Sequence, residues 1–270
     1  MCETPMGTAV PKGAPMPLDL VTVPCLRDNY AFLIHDAQTG ATAVIDVPET
    51  GPILDALRSR GWSLTDILIT HHHDDHIAGV EDLRKQTGAR TWGARADAHR
   101  LPDLDHALVE GDTVVVGDQR GTVIDVPGHT LGHIAFHFPD ASLVFTADSL
   151  MAAGCGRLFE GSADVMWQSL TKLAALPPQT LVCSGHEYTA SNIRFALSLE
   201  PDNPALISRS KRVAAAREDG RPTVPSVLSD ELSTNPFLRA TRPEMKAVLG
   251  MTGASDAECF AEIRRRKDRF

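Results

Sequence analysis

The run His71-His72-His73-Asp74-Asp75-His76 sets metal-binding and acid–base side chains side by side, directly after the apolar stretch Ile67-Leu68-Ile69-Thr70. It reads as His-x-His-x-Asp-His. Residues two apart in an extended turn point the same way, so His71 and His73 are placed to grip one ion. Asp75 and His76 can then face a second ion nearby. Imidazole and carboxylate ligands suit zinc, iron or manganese and leave coordination positions for water. Three more segments repeat the arrangement, each placing a ligand type just past an apolar run. Val123-Ile124-Asp125-Val126 leads to Pro127-Gly128-His129, Val144-Phe145-Thr146 to Ala147-Asp148, and Leu181-Val182-Cys183 to Ser184-Gly185-His186. Asp148 carries two oxygens and can therefore bridge two cations. The bland alternative for His71–His73 is a tag or a surface polyhistidine stretch. Neither belongs between an apolar strand and a helix with Ile77, Val80 and Leu83 in period.

Other histidines need separate treatment, since the chain holds 11 of them and a lone histidine is more often structural than ligating. His72 is expected to point away from the ions. His133, four residues after His129, reads as a side chain that supports a ligand rather than as a ligand. Asp46, after Ala43-Val44-Ile45, is either a supporting carboxylate or a strand-end turn residue. His35, His99, His106 and His137 lack any such setting and are assigned no role.

Elements that would position these groups follow from periodicity and from stop signals. Strands are expected at Ala43–Asp46, Ile67–Thr70, Thr113–Val116, Thr122–Val126, Leu143–Thr146 and Leu181–Cys183. Helices are expected at Pro52–Arg60 before Gly61, Ile77–Thr87 before Gly88, and Asp164–Leu176 before Pro177-Pro178. Strands should cease after about Thr189. Helices then follow at Thr189–Leu199, Pro204–Asp219 (Asn203 as cap, Gly220 as stop), Ser226–Leu232 and Asp256–Lys267. Ser255-Asp256-Ala257-Glu258 reads as a capping box, and Phe260 and Ile263 fall on one apolar face of the last helix. The expected architecture is a two-layer β core covered by helices, with a helical extension. Strand ends at one edge of such a core converge on a crevice, where loops commonly carry sites.

The bulk composition narrows the classes. A chain of 270 residues has room for one large domain plus an appendage, and 43% apolar with 23% charged residues is ordinary globular usage. A net charge of −9 argues against a general nucleic-acid binder, which needs excess Lys and Arg to neutralise phosphates. No apolar run is long enough to span a bilayer, so no membrane role is expected. Met1–Met16 has no hydrophobic stretch and reads as a flexible arm or an expression remnant rather than a signal peptide. The cysteines (Cys2, Cys25, Cys155, Cys183, Cys259) are odd in number and lack CxxC pairing, which fits a reducing cytoplasm. Cys155 and Cys183 are not read as nucleophiles, because no His–Asp pair is left to activate them.

With these residues in view, Thr70-His71-His72-His73-Asp74-Asp75-His76-Ile77-Ala78-Gly79, followed by His129, Asp148 and His186, resembles the metallo-β-lactamase superfamily signature. Narrower stretches resemble its glyoxalase II (hydroxyacylglutathione hydrolase) branch: Gly154-Cys155-Gly156-Arg157-Leu158-Phe159-Glu160-Gly161, Gly185-His186-Glu187-Tyr188-Thr189, Asn235-Pro236-Phe237-Leu238-Arg239, and the closing Arg264–Phe270. The resemblance runs from about Leu18 to the end. It implies an αββα sandwich with a C-terminal helical domain: an arm over 1–17, a catalytic domain over 18–188 and a substrate-binding domain over 189–270.

The same resemblance implies two divalent metals per chain, zinc first, with iron or manganese as alternatives. One would be held by His71, His73 and His129, the other by Asp75, His76 and His186, with Asp148 bridging. Asp75 and Asp148 would serve catalysis around a metal-bridged hydroxide. Arg157, Tyr188, Arg264 and Lys267 would meet glutathione. The implied reaction is hydrolysis of S-(2-hydroxyacyl)glutathione, chiefly S-D-lactoylglutathione, to glutathione and D-lactate, by a cytoplasmic monomer in methylglyoxal detoxification. Phe159 stands where some family members carry tyrosine, and Asp74 where an aromatic or another residue is common; neither is a ligand. Rival readings are a one-iron glutathione persulfide dioxygenase, whose second metal site is incomplete, a nucleic-acid phosphodiesterase, and a non-catalytic metal-binding module.

Overall fold

A computed structural model describes residues 17–270. The expected arm over 1–17 therefore lies, apart from Pro17, outside the described residues.

The first half of the chain builds one sheet from β1 (Asp19–Cys25), β2 (Asn29–His35), β3 (Thr42–Ile45), β4 (Asp66–Leu68), β5 (Arg90–Ala94) and β6 (His106–Leu108), in that spatial order. Helices α1 (Thr50–Arg60), α2 (Asp74–Ile77) and α3 (Val80–Thr87) interrupt it. The second half builds β7 (Thr113–Val116), β8 (Gln119–Asp125), β9 (Ile134–Phe138) and β10 (Leu143–Ala147), then a small hairpin β11 (Leu150–Met151) and β12 (Gly154–Cys155), then β13 (Leu181–Ser184) and β14 (Ser226–Val227). Its sheet runs β14-β13-β10-β9-β8-β7. Helices α4 (Ala163–Ala174), α5 (Thr189–Leu199), α6 (Pro204–Glu218), α7 (Leu228–Thr234), α8 (Pro243–Leu249) and α9 (Asp256–Lys267) complete the chain.

Alternation along the strands explains the layering, because successive side chains point to opposite faces. In β2, Tyr30, Phe32 and Ile34 face the second sheet, meeting Val123, Phe136, Phe138 and Phe145. Ala31 and Leu33 face the other way, toward Ile53, Leu57, Val80 and Leu83 of α1 and α3. The second sheet repeats this: Ala135, Val144 and Val182 turn outward onto Met166, Leu170 and Leu173 of α4 and Phe260 and Ile263 of α9. Four layers, α/β/β/α, result. Each buried Leu, Ile or Phe contributes about 1.5–3 kcal/mol over its exposed state.

Three expectations change. The helix expected over Ile77–Thr87 is broken at Ala78-Gly79, where the chain presses on its neighbours. A Cβ on Gly79 would lie 2.8 Å from a Val47 methyl and 3.1 Å from the Glu49 backbone. Ser226 and Val227, expected to begin a helix, instead pair with Val182 and Leu181, and α7 starts at Leu228. Strands thus do not cease at Thr189. The C-terminal segment supplies an edge strand to the second sheet, and α9 packs on α4. The capping box is present, with the Ser255 and Glu258 side chains each bonding the other's backbone N–H.

Candidate metal centre

The carboxyl ends of β3, β4, β8, β10 and β13 deliver Asp46, His71, His129, Asp148 and His186 to one crevice. His73 caps the start of α2, a single turn that places Asp75 and His76 one after the other. Two clusters of ligand atoms form. His71, His73 and His129 make the first; Asp75, His76 and His186 make the second. In the first, His73 Nδ1 lies 3.1 Å from His71 Nε2 and 3.0 Å from His129 Nε2. A ring nitrogen holds one proton or one lone pair, so it cannot satisfy both neighbours. Burial, then the neighbouring imidazoles, pulls His71 well below its usual range. Burial likewise lowers His73 and His129. Three neutral rings with converging lone pairs are the donor set a divalent cation takes.

The second cluster is carboxylate-rich. His186 Nε2 stands 3.4 Å from Asp75 Oδ2 and 3.3 Å from Asp148 Oδ2. Burial opposes protonation of His76, but Asp148, Asp46 and Asp75 outweigh it and raise the imidazole to about 9. His186 is raised in the same way. These carboxylates demand positive charge at this point. Asp148 lies between the clusters, with Oδ1 3.6 Å from His76 Nε2 and Oδ2 3.5 Å from His129 Nε2. Its Oδ1 is buried and has no hydrogen-bond partner. An orphaned buried carboxylate oxygen is costly. The donor set therefore fits two divalent ions, and the chain carries a centre for two.

The remaining nitrogen of most of these rings is fixed by a partner. His71 Nδ1 meets Thr70 Oγ1 at 3.0 Å, His76 Nδ1 meets Asp46 Oδ2 at 2.8 Å, and His129 Nδ1 meets the Arg157 carbonyl at 2.9 Å. His186 Nδ1 meets Asp28 Oδ1 at 3.1 Å. Such partners fix the tautomer and aim the ring. Asp46 also lies close enough to His71 and His76 to suggest a third cluster. Its oxygens, however, already accept from Thr70 N, Thr70 Oγ1 and His76 Nδ1. Of the two readings left open for Asp46, the geometry selects the supporting carboxylate.

His133 is buried, stacks on His71 at 4.6 Å, and its Nε2 accepts from the Asp148 backbone N–H at 3.3 Å. Burial pushes it down to about 3, so it stays neutral and can accept. His72 turns away to Asp97 at 3.1 Å. Two residues that sequence reasoning missed lie where the β1–β2 turn enters β2. Asp28 holds His186, and Asn29 Nδ2 donates to Asp75 Oδ2 at 3.0 Å. An adjacent Asp-Asn pair in a turn is too common a signal to single out.

A cleft of about 960 Å³ opens over Asp75, His73, His129, Asp148 and His186. Arg157, Tyr188, Arg264 and Lys267 all line it, joined by Arg194, which the sequence reading did not include. Tyr188 stacks on His186, with ring centres 4.7 Å apart. Phe159 is 62% exposed and stands edge-on to His73 and His129. Arg264 is only 5% exposed, and its donors go to the Cys155 carbonyl at 3.1 Å and to Asp268 Oδ1 at 2.7 Å. Lys267 Nζ sits over the rings of Phe195 and Phe270. Cys155 lines the cleft, but burial pushes its thiol up to about 11, which leaves no thiolate to attack.

Comparison with known proteins agrees with this geometry. Residues 27–186 match the family model of the metallo-β-lactamase superfamily, and residues 187–270 match that of the hydroxyacylglutathione hydrolase C-terminus. A hydroxyacylglutathione hydrolase of Cereibacter sphaeroides is 71% identical over 94% of this chain and 100% of its own length. One from Fuscovulum blasticum is 64% identical, with the same two coverages. Among solved structures, ETHE1 from Myxococcus xanthus superposes with a TM-score of 0.64 at 26% identity, over 92% of this chain and 89% of that one. The B3 metallo-β-lactamase BLEG-1 reaches the same TM-score at 18% identity over 82% and 99%, a likeness of fold alone. With family matches that run without a gap from residue 27 to the end, and relatives this similar along their whole length, the chain belongs to the hydroxyacylglutathione hydrolase family of the metallo-β-lactamase superfamily.

Proposed function

We propose that this protein hydrolyses S-(2-hydroxyacyl)glutathione thioesters, chiefly S-D-lactoylglutathione, with water giving D-lactate and glutathione. The observation that carries the reading is a single cleft with a two-cation donor set on its floor and Arg157, Arg194 and Lys267 along its wall. A peptide thioester that carries two carboxylates matches both ends. We assign catalysis to residues 18–188 and substrate binding largely to 189–270, in a monomer of the cytoplasm that acts in methylglyoxal detoxification. The four described cysteines are free and buried, as a reducing compartment favours. Among the described residues no helix is long and apolar enough to cross a membrane.

His71, His73 and His129 would hold one ion, and Asp75, His76 and His186 the other, with Asp148 shared. When bound, such ions acidify water and polarise a carbonyl, supplying nucleophile and oxyanion stabilisation without a protein nucleophile. Asp46, Asp28, Thr70 and the Arg157 carbonyl keep the ligand rings aimed. Arg157, Tyr188, Arg264 and Lys267 bind and orient glutathione, Arg264 by shaping the wall at Cys155 and Gly156. The departing thiolate is stable enough, with a free-thiol pKa near ~8.5, to leave without a general acid. Elemental analysis paired with loss of thioester absorbance on S-lactoylglutathione tests the proposal. About two metals per chain and saturable hydrolysis are expected. Oxygen consumption with glutathione persulfide exceeding thioester hydrolysis would replace it with the dioxygenase reading.

A pH dependence follows for Lys267. Burial, with Arg264, Arg194 and Arg157 nearby, pulls its ammonium down to about 8. Below that value Lys267 is a cation that attracts substrate carboxylate; above it the charge is lost from the free enzyme. KM should therefore rise by roughly 3- to 10-fold as pH climbs through this point, a charge-assisted contact discounted for partial exposure. The bound carboxylate holds the proton on, so kcat should change little. Lys267→Met should remove the inflection, and an unchanged KM profile in that variant would strip Lys267 of the role.

A further inference from the structure

Among the described residues, the most completely buried charge outside the metal centre is Glu231 on α7, with 0% exposure. Both its oxygens are full. Oε1 accepts from Arg209 and from Ser226 Oγ at 2.6 Å. Oε2 accepts from the Ala153 backbone N–H at 2.8 Å and from Asn235 Nδ2 at 3.1 Å. Arg209, itself 3% exposed, spends another nitrogen on Thr234 Oγ1 at 2.7 Å. Asn235 in turn donates to the carbonyls of Met151 at 3.2 Å and Gly154 at 2.9 Å. Every one of these links to Ala153, Met151 or Gly154 ends on the β11–β12 hairpin.

That hairpin is the only chain between the ligand Asp148 and Arg157. Its turn residue Ala153 is held at φ 55°, left-handed backbone that a non-glycine residue rarely adopts. Met151, Cys155, Gly156 and Arg157 form the near wall of the cleft. The Arg157 carbonyl accepts from His129 Nδ1. One side of the hairpin thus shapes the substrate wall and leads into Arg157, while its other side rests on Glu231 and Asn235. A buried ion pair is seldom the most stable filling for its space, since well-packed apolar residues often do as well or better. Stability alone is a weak reason for this one.

We propose that Glu231, neutralised by Arg209, is a positioning residue: from the helical segment it fixes the Leu150–Cys155 hairpin and thereby the substrate wall. The proposal rests on the thioester reading above. Wild-type hydrolysis tests that reading first, so the ratios between variants and wild type test this one alone. Three measurements decide it. In Arg209→Met/Glu231→Leu, an apolar pair that leaves no unpaired charge, KM should rise tenfold or more. Its kcat should fall less than fivefold and its metal content should stay at the wild-type level. Asn235→Ala, which keeps the ion pair and removes two hairpin bonds, should raise KM in the same direction. Arg209→Lys, which keeps a cation against Glu231, should lower the melting temperature and leave KM within twofold. If the double variant folds with wild-type KM, Glu231 is structural filler and the proposal is overturned. Should it fail to fold, amide exchange of Ala153 in the wild-type protein decides. Protection equal to that of the β10 core supports the clamp; exchange as fast as an exposed loop refutes it.

Discussion

Asp148→Ala is expected to lower kcat by on the order of 10²-fold or more, as for loss of a preorganised electrostatic group, with a much smaller change in KM. The carboxylate reaches ring nitrogens of both clusters, at 3.5 Å from His129 Nε2 and 3.3 Å from His186 Nε2. Burial works against its charge, yet His76 and His186 hold it well below the usual carboxylate range. Its position is fixed twice over, by the backbone N–H donation to His133 and by the end of β10. Arg157, Arg194 and Lys267, the cations proposed to meet glutathione, line the wall of the cleft rather than the donor set, which is why KM should be spared. Asp148→Asn is the sharper variant. It keeps volume and one carbonyl oxygen but loses the negative charge, and should fall nearly as far. Steady-state kinetics with metal content measured on the same preparations checks this. Near-normal turnover in either variant, with two metals bound, would show that Asp148 does not link the sites.

How much of this centre is legible in the sequence depends on how local each determinant is. His71, His73, Asp75 and His76 are set by one strand end and one helical turn, so their spacing alone betrays them. His129, Asp148 and His186 each follow an apolar run, and metal chemistry admits few residue types, so coincidence of type and place suffices. The partners behind them are different. Asp28 and His186 are 158 residues apart, and Asn29 and Asp75 are 46 apart. Nothing in a turn sequence reports what lies across a sheet. Asp46 illustrates the intermediate case: its place after β3 suggests a role, but only its three hydrogen bonds separate support from ligation.

Secondary structure follows the same division. α9 and its cap are read correctly because the capping box and the Phe260–Ile263 spacing are local signals. The break at Gly79 is invisible locally, since it answers to Val47 and Glu49 some thirty residues earlier. β14 exists only because Leu181 and Val182 offer it a free edge. Arg264 shows how charge and position can suggest a contact without its geometry. The resemblance sets it beside Lys267 as a contact to glutathione, while in the fold its guanidinium is buried over Phe237 and bonded to the Cys155 and Gly156 carbonyls. The cations that stand near Lys267 with no carboxylate partner among the described residues are Arg157, and Arg194 of α5.

Gly156→Ala should be nearly as damaging as losing Asp148, although it removes nothing. A Cβ on Gly156 would stand 2.0 Å from the Asp148 carbonyl oxygen and 3.0 Å from His129 Nδ1. Real Cβ atoms do not approach backbone that closely, so one of the two segments must move. Neither has an easy retreat. Gly156 N–H donates to the Ser149 carbonyl at 3.1 Å, which ties the two segments together. Behind Gly156, Arg264 holds its carbonyl and that of Cys155. The strain therefore falls on Asp148 and His129, one residue shared between the clusters and one within the first. Overpacking of this kind costs about 1–3 kcal/mol or more in stability. A ligand displaced by about 1 Å costs catalysis roughly 10²-fold. Fewer than two metals per chain and a kcat loss of that order are expected, with the melting temperature reduced but folding retained. Gly51→Ala, near the start of α1, is the control, since its new Cβ would meet nothing within 4 Å. That variant should be neutral or gain up to about 1 kcal/mol, with kinetics unchanged. A Gly156→Ala enzyme that binds two metals and turns over within threefold of wild type would mean the hairpin gives way freely. The account of it as a fixed wall against the ligands would then fail.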